Sequence, residues 1–120
     1  MNHEAIRQRK PLVMGAMYGM EGYVSTFVPG ETPCLRCLYP EYPEYWTNIK
    51  VFPAMGPGPI IVGTMTAMEA IKMLSGFGKP LKGILWSFDL ESCHIKKLKI
   101  RKRPGCESCA SLGESPQSEA

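Results

Sequence analysis

Two Cys-x-x-Cys pairs, Cys34-Leu35-Arg36-Cys37 and Cys106-Glu107-Ser108-Cys109, constrain this chain more than any other feature. Two intervening residues let both sulfurs of a pair point to one side of a turn, at roughly 2.3 Å from a shared zinc ion. Two such knuckles complete a tetrahedral four-cysteine site, which would tie residue 37 to residue 106 across a long loop. Pro33 ahead of the first knuckle and Pro104-Gly105 ahead of the second supply the turn chemistry. Two disulfides, or a redox-active pair, are the competing readings. Nothing in the chain marks an oxidising compartment, and neither pair reads as the helix N-terminus of a β-α-β unit, so zinc is favoured. Four protein ligands leave no open coordination position, so the metal is expected to be structural and not catalytic. The fifth cysteine, Cys93, lies in a strand-like run and is expected to be a small buried apolar residue.

The chain has 120 residues, enough for one domain that buries about 65% of its unfolded surface. Its hydrophobic share of 44% and charged share of 21% are ordinary for a globular protein. A net charge of +3 is too small to argue for a nucleic-acid partner. No apolar run approaches the ~20 residues needed to span a membrane. Arg7, Arg9 and Lys10 precede Leu12-Val13-Met14-Gly15-Ala16-Met17, a superficial likeness to a secretory signal. That stretch is short, contains Pro11 and glycines, and runs into Glu21, so it reads as a strand of a cytoplasmic protein.

Residues 4–10 read as the last turns of a helix ended by Pro11. Leu12 to Ala16 is uniformly apolar, as in a strand covered on both faces. Tyr23 to Val28 is rich in β-branched and aromatic residues and stops at Pro29-Gly30. From Tyr39 to Pro59 runs a connector with Pro40, Pro43, Pro53, Pro57 and Pro59, which excludes a regular helix or central strand there. Its aromatics, Tyr42, Tyr45, Trp46 and Phe52, favour a functional loop over a disordered one. The clearest helix is expected from Ile60 to Leu74, with Gly76 as its stop and Ile61, Met65, Met68 and Ile71 as its core stripe. Ile84 to Phe88 is a strand, Asp89 to Ser92 a turn, and Cys93 to Ile100 a second strand. Residues 1–110 form the domain, and the polar segment 111–120 is expected to be a disordered tail.

Lys96, Lys97, Lys99, Arg101, Lys102 and Arg103 make a basic run. No aromatics interleave with these charges to stack bases, so the run reads as the solvated side of an edge strand and not as a nucleic-acid stripe. His3 is terminal, and His94 is expected to be an ordinary strand residue. The architecture is α/β: a few strands, one main helix across them, and a zinc clip at one end.

Several stretches together resemble one family, the ThiF/MoeB/HesA adenylating enzymes, relatives of the ubiquitin-activating enzymes. The likeness is carried by Pro11-Leu-Val-Met-Gly-Ala16, Glu21-Gly-Tyr-Val-Ser-Thr-Phe27, Pro33-Cys-Leu-Arg-Cys-Leu-Tyr-Pro40, the segment from Gly63 to Gly76, and Pro104-Gly-Cys-Glu-Ser-Cys109. It covers about residues 2–110, corresponding to the C-terminal half of the family's Rossmann-like domain. The resemblance implies a nucleotide-dependent enzyme that adenylates the C-terminal glycine of a ubiquitin-like sulfur carrier ending in Gly-Gly. It also implies structural zinc on Cys34, Cys37, Cys106 and Cys109, and a crossover loop at the proline-rich connector that guides the carrier's tail.

Two departures limit what carries over. No strand followed by Gly-x-Gly-x-x-Gly occurs here, nor an acidic residue about 20 positions beyond one, so no nucleotide-binding or catalytic residue is assigned. ATP and Mg2+ are expected only if a nucleotide-binding half comes from another chain; loss of that half by truncation is the other reading. Many members also carry a crossover-loop cysteine at the position near Ile49, whereas residues 38–60 contain none. A thioester or acyl-disulfide through this loop is therefore not expected. The expected function is the carrier-binding, zinc-containing half of such an enzyme, inactive without its nucleotide-binding half. The alternative is a non-enzymatic module that binds a ubiquitin-like protein or forms a homodimer.

Overall fold

The computed structural model describes residues 1–41, 44, 50 and 53–110. The tail at 111–120 and the connector residues 42, 43, 45–49, 51 and 52, Ile49 among them, lie outside the described residues. The described elements are α1 (Asn2–Gln8), β1 (Leu12–Tyr18), β2 (Glu21–Phe27), α2 (Leu35–Leu38), α3 (Pro57–Ser75), β3 (Ile84–Asp89) and β4 (His94–Lys99). The strands form one sheet in the order β1-β2-β3-β4, with every adjacent pair antiparallel. Among the described residues, parallel pairing is confined to isolated bridges, Gly19 with Ala54 and Thr26 with Lys82.

The β1–β2 hairpin closes on Gly19-Met20, with Tyr18 opposite Glu21 and Leu12 opposite Phe27. Gly19 takes φ 60°, a left-handed value that a tight hairpin turn demands and glycine meets without strain. This register puts Val13, Gly15 and Met17 of β1 on the same face as Gly22, Val24 and Thr26 of β2. Helix α3 packs on that face, over β1 and β2. Its core joins Val24, Val62, Leu81 and Phe88, flanked by Met17, Ile61, Met65 and Trp86. On the opposite face Phe27, Leu85 and Ile100 are buried, covered by Leu35 and Leu38 of α2 together with Leu12, Met14 and Tyr23. The sheet is thus the middle layer, with the long helix on one side and the first knuckle on the other.

Helix α3 begins at Pro57, three residues before the expected start. Prolines at 57 and 59 fall in its first turn, where the missing N–H groups have no intrahelical acceptor to lose. Gly76, left-handed at φ 71°, ends it as expected. The core stripe differs from the expected one: Gly58, Val62 and Glu69 are buried and Met65 half-buried, while Met68 and Ile71 are exposed by 43% and 52%. The inward face is therefore rotated from the stripe that hydrophobicity suggests. Strand β1, expected to be covered on both faces, is only partly buried because it lies at one end of the sheet. Cys93 also departs from expectation. It is exposed, in the β3–β4 turn, with φ 57°. Asp89 shapes that turn by accepting hydrogen bonds from the Glu91 N–H and the Ser92 hydroxyl, both at 2.9 Å. Every residue of β4 is exposed, which agrees with reading its lysines as the solvated side of an edge strand.

Candidate metal centre

Each knuckle is folded by its own few residues. Cys34 is extended (φ −98°, ψ 174°) and caps α2, whose single turn brings Cys37 back beside it; the Cys37 N–H donates to the Cys34 carbonyl at 3.0 Å. The first pair thus does start a helix, but one of four residues outside any β-α-β unit. In the second knuckle the Cys106 N–H donates to the Arg103 carbonyl at 3.2 Å, across a turn in which Gly105 holds φ 70°. The Ala110 N–H then closes onto the Cys106 carbonyl at 3.0 Å.

The fold brings all four predicted ligands together. Their Sγ atoms lie within 4.8 Å of one another. Three separations are 3.9 Å for Cys34–Cys37, 3.7 Å for Cys34–Cys106 and 3.6 Å for Cys37–Cys109. A tetrahedron with sulfurs about 2.3 Å from its centre has edges of about 3.8 Å. The observed spacing matches that edge, and it is nearly twice the length of a sulfur–sulfur bond, so these cysteines are free thiols and not disulfides. Cys34, Cys106 and Cys109 are buried and Cys37 is partly so, with Ile6 of α1 packed against them. Asn2 Oδ1 accepts the Leu35 N–H at 3.2 Å, which braces α1 on the first knuckle.

The electrostatics of the cluster are divided. Burial pushes the Cys34 and Cys109 thiols up, and sulfur neighbours add to the rise. Burial acts on Cys106 in the same sense, but the N–H groups of Cys109 and Ser108 and the neighbouring thiols outweigh it and bring Cys106 down to about 6. Four thiolates at these distances repel one another strongly unless a cation sits among them. A divalent ion removes that conflict, so the cluster could hold a metal. An all-sulfur tetrahedral set suits zinc or iron–sulfur chemistry and leaves no ligand position for a substrate.

The other candidates fall elsewhere. Cys93 is exposed in the β3–β4 turn and His94 opens β4, neither among the residues that group as metal ligands. The connector rejoins the described fold at the end of β1, where the Gly19 N–H donates to the Pro53 carbonyl at 3.0 Å and Gly19 bridges Ala54. One buried group escaped the sequence reading: Glu69, fully enclosed beneath α3. Its Oε2 accepts the Thr26 hydroxyl and the Leu81 N–H, both at 2.7 Å, and its Oε1 meets Lys72 Nζ at 2.9 Å. Burial pushes its carboxyl up, yet the Leu81 N–H, Lys72 and Thr26 together hold it below its usual value. The signal was its spacing of four and seven from Met65 and Val62, which places it on their helix face.

Comparison with known proteins identifies the scaffold. Residues 1–108 match the ThiF family. The heterocyst protein HesA of Trichormus variabilis is 38% identical over 109 residues, spanning 91% of this chain and 40% of the relative. The molybdopterin-synthase adenylyltransferase of Escherichia coli is 38% identical over 111 residues, spanning 91% of this chain and 44% of the relative. The crystal structure of E. coli MccB with ATP superposes on 90% of this chain and 34% of its own, with a TM-score of 0.74 at 20% identity, a likeness of fold. The chain therefore spans less than half the length of these relatives.

Proposed function

Because this chain belongs to the ThiF family, we propose that it is the carrier-binding, zinc-clipped portion of an enzyme that adenylates the C-terminal glycine of a ubiquitin-like sulfur carrier. The reading rests on sequence relationship to an adenylyltransferase together with one structural observation: the connector is anchored at both ends. It leaves the clip just after Cys37, where the Tyr39 N–H donates to the Leu35 carbonyl at 2.9 Å, and it rejoins the sheet at Gly19. In this reading the connector between these two anchors would guide an extended Gly-Gly tail. Residues 38–60 offer no cysteine, so the tail would be held without a covalent link.

Zinc would occupy Cys34, Cys37, Cys106 and Cys109 and hold the start of the connector in place. ATP and Mg2+ would be held by a nucleotide-binding portion outside these residues, since the phosphate-cradling Gly-x-Gly-x-x-Gly is not part of this sequence. Adenylation is read by ATP–pyrophosphate exchange. This chain with a Gly-Gly carrier should give none alone, and exchange should appear when a nucleotide-binding portion of a ThiF-family enzyme is supplied in trans. Exchange by the chain alone would refute the proposal. Carrier binding without exchange in either mixture would instead favour the non-enzymatic binding module.

A further inference from the structure

The cysteine cluster has a second way of holding its two knuckles together. The Sγ contacts across the knuckles, 3.7 Å for Cys34–Cys106 and 3.6 Å for Cys37–Cys109, are both shorter than the 3.9 Å contact of Cys34 with Cys37. Between them these two contacts use each sulfur once. Closing either to a bond of about 2.05 Å moves each sulfur by only about 0.8 Å.

The two ways of pairing the cysteines differ in what they do for the fold. Each bond across the knuckles joins residues 72 positions apart and ties α2 to the chain beyond β4, as a shared metal would. A bond within a knuckle closes a loop too short to hold the knuckles to each other, and cross-links over short loops stabilise least. Where disulfides exchange freely, the pairing coupled most strongly to folding accumulates. Access is uneven as well. Cys34, Cys106 and Cys109 are exposed by only 5, 1 and 2%, whereas Cys37 is the one of the four that is only partly buried. An incoming reagent meets Cys37 first.

We propose that the cluster is a thiol–disulfide switch, in which a small disulfide such as oxidised glutathione converts the clip into two covalent bonds, Cys34–Cys106 and Cys37–Cys109. The Cys37 thiolate attacks one sulfur of the glutathione disulfide, breaking its S–S bond and releasing one glutathione thiolate. The Cys109 thiolate then attacks the Cys37 sulfur of the mixed disulfide and expels the second glutathione thiolate. The same exchange with a second glutathione disulfide joins Cys34 to Cys106. Four protein thiolates are oxidised, two glutathione disulfides are reduced to four glutathione thiolates, and a divalent ion held by those protein thiolates passes to solvent. Excess reduced glutathione runs the exchange backwards. The inference rests on the sulfur cluster alone and is independent of the adenylation reading.

Disulfide mapping on the full chain tests it, in a Cys93→Ser background because Cys93 is exposed and would take up glutathione itself. After incubation with oxidised glutathione, acid quenching, thiol blocking and digestion, mass spectrometry should find both cross-knuckle linkages in at least about tenfold excess over Cys34–Cys37 and Cys106–Cys109. Glutathione trapped early in the reaction should sit on Cys37. A zinc-loaded chain should lose its metal to a metallochromic dye in step with the linkages. The oxidised chain should melt at least about 10 °C above the chelated, reduced chain. Linkages within the knuckles, an early adduct on another cysteine, a chain that stays reduced, or an oxidised chain that melts with the chelated one would overturn the proposal. Zinc content measured before treatment reads the metal assignment separately. A chain that carries no zinc yet forms both cross-knuckle bonds would uphold the switch while removing that assignment.

Discussion

Glu69 shows how a single buried charge can organise two elements. Its carboxylate joins α3 to Thr26 of β2 and to the Leu81 N–H, while Lys72 supplies the counter-charge and also reaches the Lys79 carbonyl at 3.3 Å. The segment after α3 is thereby drawn back onto the sheet, where Leu81 and Gly83 exchange backbone hydrogen bonds with Thr26 at 3.1 Å. Glu69→Ala leaves the Leu81 N–H, the Thr26 hydroxyl and the Lys72 ammonium without their acceptor, and should cost roughly 2–4 kcal/mol of stability in a denaturant melt. The pH dependence follows from the depressed carboxyl. The group stabilises the fold above its unfolded pKa of about 4.3, and that contribution disappears as pH falls through the lower folded value. Melting temperature should therefore fall more steeply below about pH 4.5 in the native chain than in Glu69→Gln. Parallel curves would show that the charge contributes nothing.

At the scale of elements, the contact between α3 and the sheet is set by glycine. A Cβ on Gly22 would lie 2.8 Å from Val62 Cγ2 and overlap the ring of Phe88. Gly22→Ala should destabilise by roughly 1–3 kcal/mol through overpacking. Phe88→Leu, which removes the obstructing ring, should make the alanine less costly in a double-mutant cycle. Additive losses would mean the two positions do not contend for the same space. The C-terminal end of this helix was legible, because a left-handed glycine acts locally, whereas the prolines at 57 and 59, read as excluding a helix, instead occupy its first turn. Its orientation was not. With apolar residues on every side, hydrophobic period favours 61, 65, 68 and 71 as readily as the face carrying 58, 62, 65 and 69, and Glu69 argues for solvent until Thr26 and Leu81 come into range.

For the whole molecule, the cysteine cluster joins three segments that are distant along the chain. It gathers α1 through Ile6 and Asn2, α2 through Cys34 and Cys37, and the chain beyond β4 through Cys106 and Cys109. A clip closing a loop from residue 37 to residue 106 should contribute about 4 kcal/mol by analogy with a covalent cross-link of that span. Chelation should release about one zinc per chain, measured by atomic emission, and lower the melting temperature by more than about 10 °C. Cys106→Ser should abolish tight metal binding and melt near the chelated chain. A metal-free preparation with an unchanged melt would remove the assignment.

The four-cysteine cluster was legible, since a knuckle is a property of four adjacent residues and the Cys-x-x-Cys spacing announces it. Strand order along the chain, the turn at Asp89 to Ser92 and the exposed basic strand were legible for the same reason: each rests on neighbours within a few positions. The rotation of α3, the burial of Glu69, the exposure of Cys93 and the partial cover of β1 were not. Each depends on which distant residue occupies the adjoining space, and a hydrophobic pattern records that a side chain can be buried, not against what.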